Sequence, residues 1–114
     1  MWISLSELLT VVKSLGLPVY RNKAPKNTKY PYYVYSYVGQ VDKMASGKIF
    51  KSLPLYQISL FTDGTEKELQ PIISKLDEYR IPFKGFRPIQ GDENDATITN
   101  FFTYVRCVED VAKQ

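Results

Sequence analysis

The run from Leu55 to Phe83, LYQISLFTDGTEKELQPIISKLDEYRIPF, restricts the fold more than any other part of the chain. Tyr56, Ile58 and Leu60 alternate with Gln57, Ser59 and Phe61, the period of two of a pleated strand. Asp63-Gly64 breaks that strand. Thr65 and Glu68 stand at capping-box spacing, the signature of a helix start. Leu69, Ile72, Ile73, Leu76 and Tyr79 then recur at helical spacing. Ile81 precedes Pro82, which disfavours helix at that point and returns the chain to an extended form. Strand, helix and strand from one continuous segment make a unit on which further strands can assemble. The same segment leaves Pro71 as a conflict, because proline beyond the first turn removes a backbone bond. Either the helix bends there or regular helix begins nearer Gln70.

A chain of 114 residues suffices for one domain with one core and not for two. The expected unit is therefore a single domain over residues 1–114. Nine tyrosines give it side chains with an apolar body and a polar tip, suited to half-buried strand faces and interfaces. A net charge of +3 is too small to define a nucleic-acid binder without a clustered basic face. Cys107 is the sole cysteine, so no intramolecular disulfide forms and a reducing compartment is expected. The start MWISLSELLTVV lacks a cationic leader and carries Glu7 where a signal peptide is apolar. No stretch reaches the roughly 20 apolar residues of a membrane span.

Taken in order, Ser4 and Glu7 form a capping box that starts a first helix near residues 5–15. Leu5, Leu8, Leu9, Val12 and Leu15 make its apolar stripe. Gly16 stands at the C′ position and Pro18 follows it. Pro18-Val19-Tyr20 reads as a short strand. Arg21, Lys23, Lys26 and Lys29 lie in a polar loop around Pro25, a solvated charge run on the simpler reading and a phosphate contact on the other. Tyr30 to Val38, YPYYVYSYV, is the strongest strand. It places Tyr33, Tyr35 and Tyr37 on one face and Tyr32, Val34, Ser36 and Val38 on the other. Both faces are at least half apolar, whereas one face of a small antiparallel sheet is normally wet. Either tyrosine serves here merely as a good strand former, or a protein partner covers the second face. Residues 39–52 read as a long loop, longer than a hairpin needs. Phe83 to Ile89 is a strand interrupted by Gly85 and Pro88, which mark a bulge or an edge. A polar turn over 90–95 precedes the last strand, 96–107. There Phe102 and Tyr104 share one face, and Phe101, Val105 and Cys107 the other. Residues 108–114 are a charged, frayed tail.

The chain has no histidine. That excludes Ser-His-Asp and Cys-His nucleophilic sites and histidine metal sites. Cys107, inside a strand, reads as a small buried hydrophobe. Asp92, Glu93 and Asp95 lack the spaced ligands and distal glutamate of a calcium loop, and read as a solvated turn. Asp77-Glu78 reads as a wet helix face. Gly47-Lys48 is not the end of a nucleotide-binding loop, because the required upstream glycine is Asp42. The chain reads as a non-enzyme with no catalytic, metal or cofactor residues.

From Met44 to Thr62 the run MASGKIFKSLPLYQISLFT resembles a pattern of tail-completion, or tail-terminator, proteins of long-tailed phages and prophages of Gram-positive bacteria. That pattern is approximately A-D-N-K-V-Y-x-K-I-x-x-Y-Q-I-E-L-Y-T. It is followed by a helix, here Glu66 to Tyr79, and by an x-G-I-P-Y/F strand start, here Arg80-Ile81-Pro82-Phe83. Upstream, Tyr30-Pro31-Tyr32-Tyr33-Val34 is similar to the family's P-P-Y-I/V-V-Y strand, and Leu17-Pro18-Val19 to its L-P-V element. The likeness spans about Leu5 to Arg106. Ser46-Gly47 departs from the Asp-Asn of the pattern, and Pro54 enters the central strand, which suggests that its first part lies on an edge.

The strand and helix patterns predict an α+β fold in which a mostly antiparallel sheet of four to five strands carries two helices on one face, and the resemblance likewise implies a small α+β domain. It implies a structural virion protein of the tail or neck, made in the bacterial host cytoplasm, that caps the tail tube as a ring, typically a hexamer. Its partners would be itself, the tail-tube protein and the head connector, with DNA passing through the lumen. On this reading Tyr33, Tyr35, Tyr37 and Phe101 are candidates for the subunit interface. Lys43, Met44, Lys48, Ile49, Phe50 and Lys51 are candidates for contact with tube or connector. Two rivals remain: a head-completion or neck adaptor, and a single-stranded nucleic-acid-binding module that stacks bases on the tyrosine-rich sheet.

Overall fold

The computed structural model describes residues 3–45, 48–90 and 97–108, with side chains at 3–39, 53–90 and 97–108. Helix α1 (Leu5–Lys13) leads into the short strand β1 (Val19–Arg21) and then the long strands β2 (Tyr32–Ala45) and β3 (Lys48–Thr62). A 3-10 turn (Glu66–Leu69) runs into helix α2 (Gln70–Glu78), followed by β4 (Arg87–Gln90) and β5 (Thr99–Arg106). The five strands form one sheet in the order β1-β2-β3-β5-β4. Only the β1–β2 pairing is parallel; the other three are antiparallel. The fold is α+β, as expected, with both helices on one face of the sheet.

The caps explain where the helices begin and end. The Ser4 hydroxyl accepts from the Glu7 amide at 3.2 Å, and the Glu7 carboxylate accepts from the Ser4 amide at 3.0 Å. That reciprocal pair satisfies two donors that the first helical turn leaves open. At α2 the expected box is one residue short. Thr65 accepts from the Lys67 amide at 3.3 Å and starts the 3-10 turn instead. Regular helix begins at Gln70, so Pro71 falls in its first turn, where its missing N–H costs nothing. The conflict over Pro71 is thereby settled in favour of a late start. The far end of α2 closes by two bonds, Arg80 N–H to Asp77 C=O at 3.1 Å and Ile81 N–H to Leu76 C=O at 2.8 Å. This is a Schellman arrangement with Arg80, at φ 56°, in the left-handed position that glycine usually takes.

Ile81 is buried, but no strand follows it directly. Residues 81–86 are irregular, with Gly85 at φ 88°, and Phe83 and Phe86 pack against the core before β4 begins. β4 lies on the sheet edge, as Gly85 and Pro88 suggested.

The core joins Leu8, Val11 and Val12 of α1 and Ile72 and Leu76 of α2 to Tyr33, Ile58, Leu60, Phe101 and Val105 of the sheet. Register fixes this face. Tyr33 stands opposite Leu60, and Leu60 opposite Phe101; Tyr35 stands opposite Ile58, and Tyr37 opposite Tyr56. Cys107, the sole cysteine, is fully buried in the same cluster.

The largest departure from expectation concerns residues 39–52. Residues 39–45 and 48–52 are strand rather than loop. β2 continues to Ala45 and β3 starts at Lys48, paired through Asp42↔Ser52, Lys43↔Lys51 and Ala45↔Lys48. Register shifts after Tyr37 and after Lys43 mark irregularities that a period-of-two reading cannot follow. Past Pro54, the β5 side of β3 has no strand, since β5 pairs only as far as Leu55↔Arg106. In an extended residue N–H and C=O point the same way. The Pro54 carbonyl accepts from the Cys107 amide at 2.8 Å, so its missing N–H faces the β5 side and costs the β2–β3 ladder nothing.

Candidate assembly surface

The second face of the sheet follows from the same register. Val34, Ser59, Phe102 and Arg87 make one cross-strand row; Tyr32, Phe61, Asn100 and Ile89 make the next; Ser36, Gln57 and Tyr104 a third. At one corner Tyr32 and Val34 are buried. Elsewhere Ile89 is 51% exposed and Tyr104 42%. Phe102 is half-buried and meets the Tyr104 ring edge-on at 5.8 Å. Arg87 and Arg106 flank this pair on the same face, and none of its strand positions is a carboxylate. Ile89, Phe102 and Tyr104 thus expose apolar surface beside polar positions at Ser36, Gln57, Ser59 and Asn100, more than a wet sheet face needs.

The proposed interface residues fall differently. Tyr33 is 1% exposed and Phe101 8%, and both belong to the core beneath the helices. Tyr35 is half-buried against that core. Only Tyr37, 51% exposed, lies where the helices no longer cover the row. Tyr33 and Phe101 are thus corrected from subunit contacts to core residues, while Tyr35 stays partly accessible. Alternation sorted the tyrosines correctly onto one face, but it does not say which face the helices choose. The apolar pattern of β3 holds the missing signal, because pairing Tyr33 with Leu60 and Tyr35 with Ile58 puts the tyrosines with the most apolar neighbours. The same correction removes the tyrosine row as a base-stacking platform, which needs exposed rings. Burial pushes the Tyr33 phenol up to about 12, with the Glu68 carboxylate adding to the effect. Burial likewise raises Tyr56.

Of the proposed tube or connector contacts, Lys43, Met44, Lys48, Ile49, Phe50 and Lys51 all lie on the distal part of the β2–β3 ribbon. Their side chains lie outside the described residues. Their backbone is in register, Lys43 opposite Lys51 and Met44 opposite Ile49. Asp92, Glu93 and Asp95 lie outside the described residues altogether. Among the described residues no three His, Cys, Asp or Glu side chains gather as metal ligands, and no helix is long and apolar enough to cross a membrane. Asp77 and Glu78 are exposed, as expected of a wet face, and Glu78 pairs with Lys75 at 3.8 Å.

Comparison with protein-family models and with curated proteins finds no match to this chain.

Proposed function

We propose that the protein is a structural virion component that caps the tail tube of a long-tailed phage as a ring and joins the tail to the head connector. The observation that carries this reading is the open sheet face. The two helices use one side of the sheet for the core, and the other side keeps Ile89 and Tyr104 in solvent. A ring of identical subunits needs one such patch to meet a different surface of the next copy. The α+β architecture agrees with the small α+β domain that the sequence resemblance implies. The β2–β3 ribbon supports the same reading, because it extends the molecule to 50 Å along its longest axis and offers a projecting element for the tube or connector.

Electron microscopy of tails assembled with and without this protein tests the proposal. Tails that overgrow, or fail to join heads, in its absence support it. Tails of normal length that join heads without it overturn it. Within that assay, Lys48→Glu with Lys51→Glu is expected to block joining while the fold survives.

A further inference from the structure

Residues 22–30 leave β1 and cross the corner of the open face. They enclose a cleft whose walls include Lys23, Lys26 and Lys29, with Tyr30, Tyr32 and Phe61 on the sheet side and Asp63 at one end. The three lysines are exposed. None of them makes an ion pair within 4.0 Å among the described residues. Between Glu7 and Asp42 the chain has no acidic residue at all, so this positive charge has no local compensation in sequence. The loop is nevertheless held in shape. Asn22 N–H donates to the Tyr35 carbonyl at 2.8 Å, and Thr28 N–H donates to the Pro25 carbonyl at 3.2 Å. Asn22 and Asn27 take the left-handed conformation, at φ 65° and 66°.

The aromatic side is ordered as well. Tyr30 and Tyr32 stack at 5.4 Å with 16° between planes, and Tyr32 and Phe61 stack at 5.3 Å with 18°. Three near-parallel rings form a column whose middle member, Tyr32, is buried and whose ends, Tyr30 and Phe61, are half-buried. We infer that this cleft is a binding site for single-stranded nucleic acid, with a base continuing the ring column and the adjoining phosphates meeting Lys23, Lys26 and Lys29. Parallel rings favour a flat ligand over an acidic peptide, since a carboxylate gains from the lysines and nothing from a stacked column. A duplex hides its base faces and offers only phosphate. The Asp63 carboxylate accepts hydrogen bonds from exocyclic amino groups and repels phosphate, so it sets the direction in which a strand lies. The site uses none of the buried Tyr33 row and does not rest on the ring reading; it is present in a single copy.

The test is fluorescence anisotropy of the full chain with a labelled single-stranded oligonucleotide of about eight nucleotides, a length within the usual site size. Binding is expected to weaken with salt at a log–log slope of about −2, for three phosphate contacts. Replacing Lys23, Lys26 and Lys29 by alanine is expected to flatten that slope. Tyr30→Leu is expected to weaken binding about tenfold with the slope unchanged. On the unaltered protein, Phe61 and Tyr30 ring protons are expected to shift upfield when the oligonucleotide binds, which keeps the test valid if a variant misfolds. Absence of binding at low salt overturns the inference, as does binding without ring-proton shifts. Equal affinity for a duplex of the same length, or for polyglutamate, with no loss in Tyr30→Leu also overturns it. Failure here leaves tail assembly untouched, and failure of the tail assay leaves this binding untouched.

Discussion

Thr103 shows how individual residues of this sheet balance packing against polarity. It sits under the helices, 2% exposed, and its hydroxyl oxygen has no hydrogen-bond partner among the described residues. A buried hydroxyl without a partner costs about 1–3 kcal/mol relative to a satisfied one, and valine has nearly the same shape. Thr103→Val is therefore expected to raise stability by about 1 kcal/mol, read as a higher midpoint in urea denaturation. Tyr33 gives a pH dependence with a definite sign. Its phenol titrates near 10 when unfolded and is pushed up to about 12 in the folded chain. The folded state thus holds its proton longer. The contribution is fully present below pH 10 and is lost as pH rises towards 12. Tyr33→Phe removes this source of loss, so denaturation curves of the variant should fall less steeply than those of the parent between pH 10 and 12. A parallel fall in the two proteins would show that Tyr33 contributes nothing.

At the scale of elements, the parts of the fold that were legible in the sequence are those set by local chemistry. Ser4 and Glu7 announced α1 because a capping box needs only neighbouring residues, and Ser4→Ala is expected to cost about 1 kcal/mol in thermal or urea unfolding. Phe101, Val105 and Cys107 were separable from Phe102 and Tyr104 by alternation alone. Elements whose limits depend on distant partners were not legible. Residues 39–45 and 48–52 carry glycine, lysine and aspartate, a loop composition, yet strand pairing with each other overrides it, and the register shifts hide the alternation. The helix-facing side of β2 was misassigned for the same reason, because it depends on pairing with Leu60 and Ile58 rather than on β2 itself. The end of α2 was read from Pro82, whereas Arg80 closes it in a left-handed conformation. A β-branched residue tolerates that conformation poorly, so Arg80→Val is expected to lose about 1–2 kcal/mol.

For the whole molecule, the decisive asymmetry is between a helix-covered face and an open one. Ile89→Lys and Tyr104→Lys change exposed positions outside the core, so both variants should melt close to the parent. If the open face is the contact between copies, the same variants should fail to cap tails, as seen in particle counts of joined virions. Full activity of both would move the contact to another surface. The β2–β3 ribbon carries a different consequence. Beyond Tyr35 no described strand lies outside β2, and before Pro54 none lies outside β3, so among the described residues that part of the ribbon is paired only internally. In such a ladder the amides of successive residues point alternately inward and outward. Deuterium uptake along it should therefore be striped, with slow and fast positions taking turns. Docking a third strand on either margin would erase the stripes on that margin and leave the other as it was. The isotope pattern of the protein with and without a docked partner thus becomes a map, residue by residue, of which margin that partner uses.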